Sequence, residues 1–175
     1  MPEPSAVDTE RLRLEPLRPE TIEALLGRDP AAVEQAQGRA LPDAFFDPAD
    51  DFFLKIQLKR MTSRPSGRGW CARVIVRHQD GAVVGHCGFH GPPEDVGRAE
   101  IGYTVLPPFR RQGYAVEAAG GLIEWARSQG QAVVFASVSP DNVASLAVVG
   151  SLGFRQTGVQ TDEIDGDEGV FELTL

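Results

Sequence analysis

Glu100-Ile101-Gly102-Tyr103-Thr104-Val105-Leu106, then Pro107-Pro108, then Arg110-Arg111-Gln112-Gly113-Tyr114-Ala115 is the stretch on which the fold turns. Its first part reads as a strand that two prolines stop, and a helical run follows the hexapeptide. A strand that ends at a basic, glycine-bearing turn and restarts as a helix makes an anion cradle. The first-turn N–H groups of such a helix lack intrahelical partners, and its dipole adds partial positive charge there. Gly113 lets the backbone approach a ligand closely, and Arg110 and Arg111 add formal charge. A pyrophosphate fits this arrangement. A P-loop would need Gly-Lys-Ser/Thr, and the dinucleotide fingerprint would need three spaced glycines; neither is present here.

Outward from this stretch, the periodicity supplies the other elements. Arg11-Leu12-Arg13-Leu14-Glu15 alternates as a half-buried strand does, and residues 1–8 read as a loose tail. Short helices are predicted over 20–27 and 30–38. Asp47-Pro48 predicts a further helix to about Met61, with Asp47 as N-cap. Residues 63–69 read as a polar loop. Residues 70–77 and 82–89 predict strands joined at the hairpin signal Asp80-Gly81, and 97–106 is the next strand. A helix over 115–129 follows, then the continuous apolar run of a buried strand over 133–138. Residues 142–152 predict a helix capped by Ser139 or Asp141 and stopped by Gly153. Residues 154–160 and 168–175 close the chain as an antiparallel pair about Asp165-Gly166. The fold class is therefore α+β (mixed α/β), a single domain over 1–175 with hairpins first and one right-handed crossover in the middle.

The 175 residues, 42% apolar and 24% charged, suit one globular domain. A net charge of -8 argues against nucleic acid as the main partner. No apolar run approaches bilayer length and the N-terminus has no apolar signal core, so no membrane partner and a cytoplasmic location are expected. Cys71 and Cys87 read as small buried hydrophobes in a reducing compartment. His78, His86 and His90 are scattered, so no metal is expected. Monomer and homodimer are equally consistent with the chain.

Arg110-x-x-Gly113-x-Ala115 after a strand resembles the coenzyme A loop of the GNAT superfamily of N-acetyltransferases. The likeness runs through residues 100–118 and includes Thr9-Glu10-Arg11-Leu12-Arg13-Leu14 and Ser139-Pro140-Asp141-Asn142 with Ser145 and Gly153-Phe154. It looks like the ribosomal-protein N-terminal acetyltransferase (RimJ/RimL-like) branch, and it is weakest over 28–66. The resemblance implies the GNAT acyl-CoA N-acyltransferase fold: a central, mostly antiparallel sheet with splayed fourth and fifth strands and flanking helices. It implies acetyl-CoA as cosubstrate and direct acetyl transfer to a primary amine, either a protein N-terminus or a small molecule. The alternatives are a non-catalytic acyl-CoA-binding sensor of the same fold, or a transferase of longer acyl groups. By resemblance, Tyr103, Thr104, Val105 and Leu106 supply the strand edge for the pantetheine arm, with Val105 or Leu106 nearest the thioester oxygen. Arg110, Arg111, Gln112, Gly113, Tyr114, Ala115 and Val116 then form the pyrophosphate loop.

Acetyl transfer needs a neutral amine, a stabilised thioester oxygen and a protonated leaving thiol. Glu100 is the candidate base: alternation puts it on the face of Thr104, and a glutamate facing a cleft can have a raised pKa or act through a water. The bland alternative is a solvent-facing glutamate. Glu94, Asp95, Asp162 and Glu163 read more naturally as loop charges. The family's usual tyrosine acid falls at Val149 here, so that acid is absent. Ser145 is the branch's substitute by resemblance, or else a small helix-packing residue. Asn142 is a pantetheine ligand by resemblance, or a helix cap by local chemistry. Phe45, Phe46, Phe52, Phe53 and Trp125 read as core, with an acceptor pocket as the alternative use of the phenylalanines.

Overall fold

The computed structural model describes residues 4–93, 97–162 and 166–175, with the side chain of Asp162 excluded. Glu94, Asp95, Glu163 and the Asp165 of the closing turn lie outside the described residues. Among the described residues one sheet runs in the order β1-β2-β3-β4-β5-β6-β8-β7. Its strands are β1 (Val7–Asp8), β2 (Leu12–Pro16), β3 (Arg73–Arg77), β4 (Val83–Phe89), β5 (Ala99–Val105), β6 (Val133–Val138), β7 (Arg155–Asp162) and β8 (Gly166–Thr174). The helices are α1 (Pro19–Leu26), α2 (Pro30–Gln37), α3 (Asp51–Ser63), α4 (Tyr114–Ser128) and α5 (Val143–Ser151). All neighbouring strands are antiparallel except β5 and β6, which flank α4 and run parallel.

Strand alternation divides the core between the two faces of the sheet. On one face, Leu12, Leu14 and Ile75 pack with Ala118, Leu122 and Ile123 of α4. On the other, Val74 and Val76 pack with Ile22 and Leu25 of α1 and Leu54 and Met61 of α3. Buried Gln57 fastens α3 to the sheet. Its amide oxygen accepts the Ala72 N–H at 3.0 Å, and its amide nitrogen donates to the Phe89 carbonyl at 3.5 Å.

Several boundaries differ from the sequence reading for local reasons. Val7 and Asp8, read as tail, pair with Leu14 and Arg13 as a short strand. Asp47 caps a 3-10 turn, Pro48–Asp50, through the Ala49 N–H, so α3 starts at Asp51 and runs on to Ser63. Pro65–Trp70 is a second 3-10 turn, which delays β3 to Arg73. Asn142, rather than Ser139 or Asp141, caps α5, with its Oδ1 accepting the Ser145 N–H at 3.0 Å.

The predicted splay is present. With β1 counted, it falls between β5 and β6, which pair only at Ala99–Val134 and Glu100–Phe135. Beyond Glu100, β5 stays paired with β4 as far as Val105, and the Leu106 N–H continues to the Val84 carbonyl at 2.9 Å. Pro107 and Pro108, in a 3-10 turn, therefore end the β4 pairing and are not the cause of the gap. The gap opens at Ile101, and the first turn of α5 borders it: the Tyr103 hydroxyl donates to the Ser145 carbonyl at 3.4 Å.

Candidate active site

The turn between β5 and α4 carries two left-handed residues, Arg111 at φ 60° and Gly113 at φ 81°. Gly113 is the N-cap of α4, and among the described residues no side chain caps the helix. Its first-turn N–H groups thus stay directed outward at the positive end of a long helix. Arg11, just before β2, braces the turn from behind. Its guanidinium donates to the Gln112 carbonyl at 3.0 Å, pairs with Glu117 at 2.6 Å and stacks on the Tyr114 ring. Arg110 folds back to donate to the Val105 carbonyl at 2.9 Å.

Two clefts meet at the gap. One, of about 580 Å³, lies on the α4–α5 side and is lined by Arg110, Arg111, Gly113 and Ala115 of the turn and by α5. The second, of about 310 Å³, is lined by Asp50 and Phe53 from the α3 side, by His86, His90 and Glu100, and by Glu168 of β8. Both clefts share Tyr103, Thr104, Asn142 and Ser145. A long ligand entering along the helix N-terminus would reach the second cleft through the place where β5 and β6 lack each other's hydrogen bonds.

The sequence-derived positions distribute over this geometry unevenly. Tyr103, Thr104, Val105, Arg110, Arg111, Gly113, Tyr114, Ala115, Val116 and Asn142 line the first cleft. Leu106 does not: it is buried in the other core, with its N–H already bonded to Val84. Gln112 faces away from the cleft, with its carbonyl toward Arg11 and its side chain toward the Pro108 carbonyl. Ser145 lines both clefts, and Val149 is buried in the core. Asn142 does act as a cap, which occupies its amide oxygen, and the residue also lines both clefts. Phe53 lines the second cleft, Phe45 is buried beside the His86 ring, and Phe52 is exposed.

Glu100 stands in a bonded chain that residue spacing did not reveal. Its Oε1 accepts the Ser137 hydroxyl at 2.7 Å, and its Oε2 lies 3.1 Å from Nδ1 of His90. Gln160 donates to Ser137 Oγ at 2.9 Å and to Glu168 at 3.2 Å. Burial alone would push the Glu100 carboxyl up. The His90 hydrogen bond and charge, the Ser137 hydroxyl and Arg60 outweigh it, so the carboxyl sits below its usual range. The direction is opposite to the raised pKa that a cleft-facing glutamate can have, because those partners come from the residue after β4, from β6 and from α3. Burial pushes the Tyr103 phenol up, opposed by its hydrogen bond to Ser145.

The sheet, its parallel β5–α4–β6 unit and the cleft pair at the gap define an α/β acyltransferase architecture. The chain belongs to the GNAT acetyltransferase family, whose acetyltransferase (GNAT) domain model matches residues 11–155. It is 31% identical over 152 residues to the uncharacterised N-acetyltransferase YjdG of Bacillus subtilis strain 168, covering 85% of this chain and 88% of that one. In fold it is similar to Mycobacterium smegmatis RimJ, solved with a CoA-disulfide, at a TM-score of 0.66 and 21% identity over 98% of this chain and 88% of that one. It is also similar to the ribosomal L7/L12 α-N-protein acetyltransferase RimL, solved with coenzyme A, at a TM-score of 0.65 and 17% identity over 98% of each chain.

Proposed function

We propose that this protein transfers an acetyl group from acetyl-CoA directly to a primary amine, on a small molecule or a peptide N-terminus. The observation that carries this reading is the meeting of two clefts at the unpaired stretch of β5. One cleft starts at an uncapped helix N-terminus beside Arg110 and Arg111, which suits a diphosphate. The other carries the carboxylates of Asp50, Glu100 and Glu168, which suits an approaching ammonium. Acetyl-CoA would supply an acyl group already activated as a thioester. In this reading Arg110, Arg111 and Gly113 to Val116 hold the diphosphate, and the open edge at Tyr103, Thr104 and Val105 receives the pantetheine arm. The Asn142 amide nitrogen also serves that arm. Glu100 governs deprotonation of the amine. Ser145, which lines both clefts, protonates the departing sulfur in this reading.

Calorimetry with coenzyme A, together with thiol release from acetyl-CoA over a panel of amines and peptides, tests the proposal. Turnover of at least one amine is the expected result. The buried Val149 in place of the usual tyrosine favours a second reading, a sensor that binds the coenzyme without chemistry. Micromolar binding with no turnover on the whole panel would select it.

A further inference from the structure

Glu100 has both carboxylate oxygens engaged, one by Ser137 and one by His90. An acceptor amine approaching it would therefore compete with two existing partners. His90 differs. It keeps 45% of its side-chain surface exposed, against 24% for Glu100. Its Nδ1 faces the carboxylate, so Nδ1–H donates and Nε2 carries the lone pair of the neutral ring.

The position of Nε2 is set by an absence. A Cβ at residue 102 would meet His90 Nε2 at 2.9 Å. Residues 100, 102 and 104 share one face of β5. The imidazole thus lies across the bare backbone of Gly102, one step along the strand from Glu100 and toward Thr104, where the two clefts join. The Phe53 ring of α3 meets the imidazole edge-on at 6.1 Å, and the adjacent backbone is fixed by the His90 N–H donating to the Glu100 carbonyl at 2.9 Å.

We infer that His90 Nε2 is the catalytic base that takes the proton from the acceptor amine, with Glu100 as its positioning residue and Ser137 as the brace of Glu100. The inference rests on the acetyltransferase reading above. The ammonium group loses one proton to Nε2, giving a neutral amine and an imidazolium. The amine lone pair then forms the N–C bond to the acyl carbon, and the C–S bond breaks with its electron pair going to sulfur. The second proton leaving nitrogen ends on that thiolate, and the imidazolium releases its proton to water. The charged and titratable groups that share the cleft with this ring are Glu100 and Tyr103 of β5, Asp50 just before α3, Glu168 of β8 and His86 and Cys87 of β4, and Arg60 of α3 acts on Glu100.

The test compares the wild type with His90→Gln, Gly102→Ala and Glu100→Gln, measuring kcat/KM against pH, coenzyme A affinity by calorimetry and imidazole nitrogen shifts by NMR. His90→Gln should lose about 100-fold in kcat, within the usual contribution of a general base, with coenzyme affinity and Tm retained. Gly102→Ala, whose backbone is not left-handed, should displace the ring and lose turnover likewise. Glu100→Gln should lower kcat while the acceptor KM and coenzyme affinity are retained, because the ring loses the carboxylate that orients it. In the neutral ring of the free wild-type protein the nitrogen shifts should place the proton on Nδ1, which faces Glu100. An active enzyme indifferent to His90→Gln, or a neutral His90 protonated at Nε2, overturns the assignment and leaves the acetyltransferase reading standing. A wild type that binds coenzyme A but acetylates nothing overturns both.

Discussion

Gly113 holds φ at 81° where the strand becomes the helix, and a Cβ there would lie 3.3 Å from the Arg11 guanidinium. A β-branched side chain would add left-handed strain of about 1–2 kcal/mol and crowd the ligand side of the turn. Gly113→Val is expected to weaken coenzyme A binding at least about tenfold, which is about 1.4 kcal/mol. Affinity within twofold of wild type in calorimetry would move the diphosphate elsewhere. Glu117 is the other decisive residue of this corner. It accepts from the Thr9 hydroxyl at 2.7 Å, the Arg11 N–H at 2.6 Å and the Arg11 guanidinium at 2.6 Å. Burial pushes its carboxyl up, but these partners pull it below its usual range. A carboxyl lowered in the folded state stabilises above its unfolded pKa, and that contribution is lost as pH falls through the folded value. Glu117→Gln should therefore lower Tm at pH 7, with the gap to wild type closing below the unfolded pKa of about 4.3. A gap that persists unchanged at about pH 2.5, well below that reference, would contradict the ionic origin of this stability.

At the scale of elements, α3 and the β4–β5 pair line the cleft proposed for the acceptor. Gln57 is the joint, and replacing it with leucine strands the buried Ala72 N–H and Phe89 carbonyl. An unpaired buried group costs about 1–3 kcal/mol. Gln57→Leu should lose that much stability in urea titration and raise the acceptor KM more than the coenzyme Kd, because Phe53 and Asp50 sit one to two turns earlier on the same segment. An unchanged acceptor KM would detach α3 from the acceptor cleft. The strand–turn–helix was legible because each of its signals is local: two prolines, a left-handed glycine and an apolar helical run. The His90–Glu100 pair was not. Its signal is the β4–β5 register, Phe89 opposite Ile101, which carries on to set residue 90 against residue 100. A connection spanning residues 90–98 does not encode register in a turn type.

For the molecule as a whole, the proposed direct transfer requires both substrates to meet at the gap between β5 and β6 at once. The alternative route, an acyl group parked on a cysteine, is opposed by burial. Cys71 and Cys87 are both in the core, and desolvation pushes their thiols up to about 11 and about 12. Neither is a thiolate nucleophile at neutral pH. Acetyl-CoA alone should leave the intact protein mass unchanged, and initial-rate plots against the two substrates should intersect. A stable mass gain of one acetyl group, or parallel lines, would overturn direct transfer. Alternation, caps and breakers along the chain determined the order of most elements and the strand–turn–helix at Gly113, because each depends on neighbours within a turn or a strand, whereas the splay was implied by the family resemblance. The partners of Glu100, the route between the two clefts and the burial of Leu106 were decided only by the tertiary structure. They arise from groups at the end of β4 and on β6, α3 and β8, whose approach is set by packing over long sequence separations and leaves no trace in local spacing.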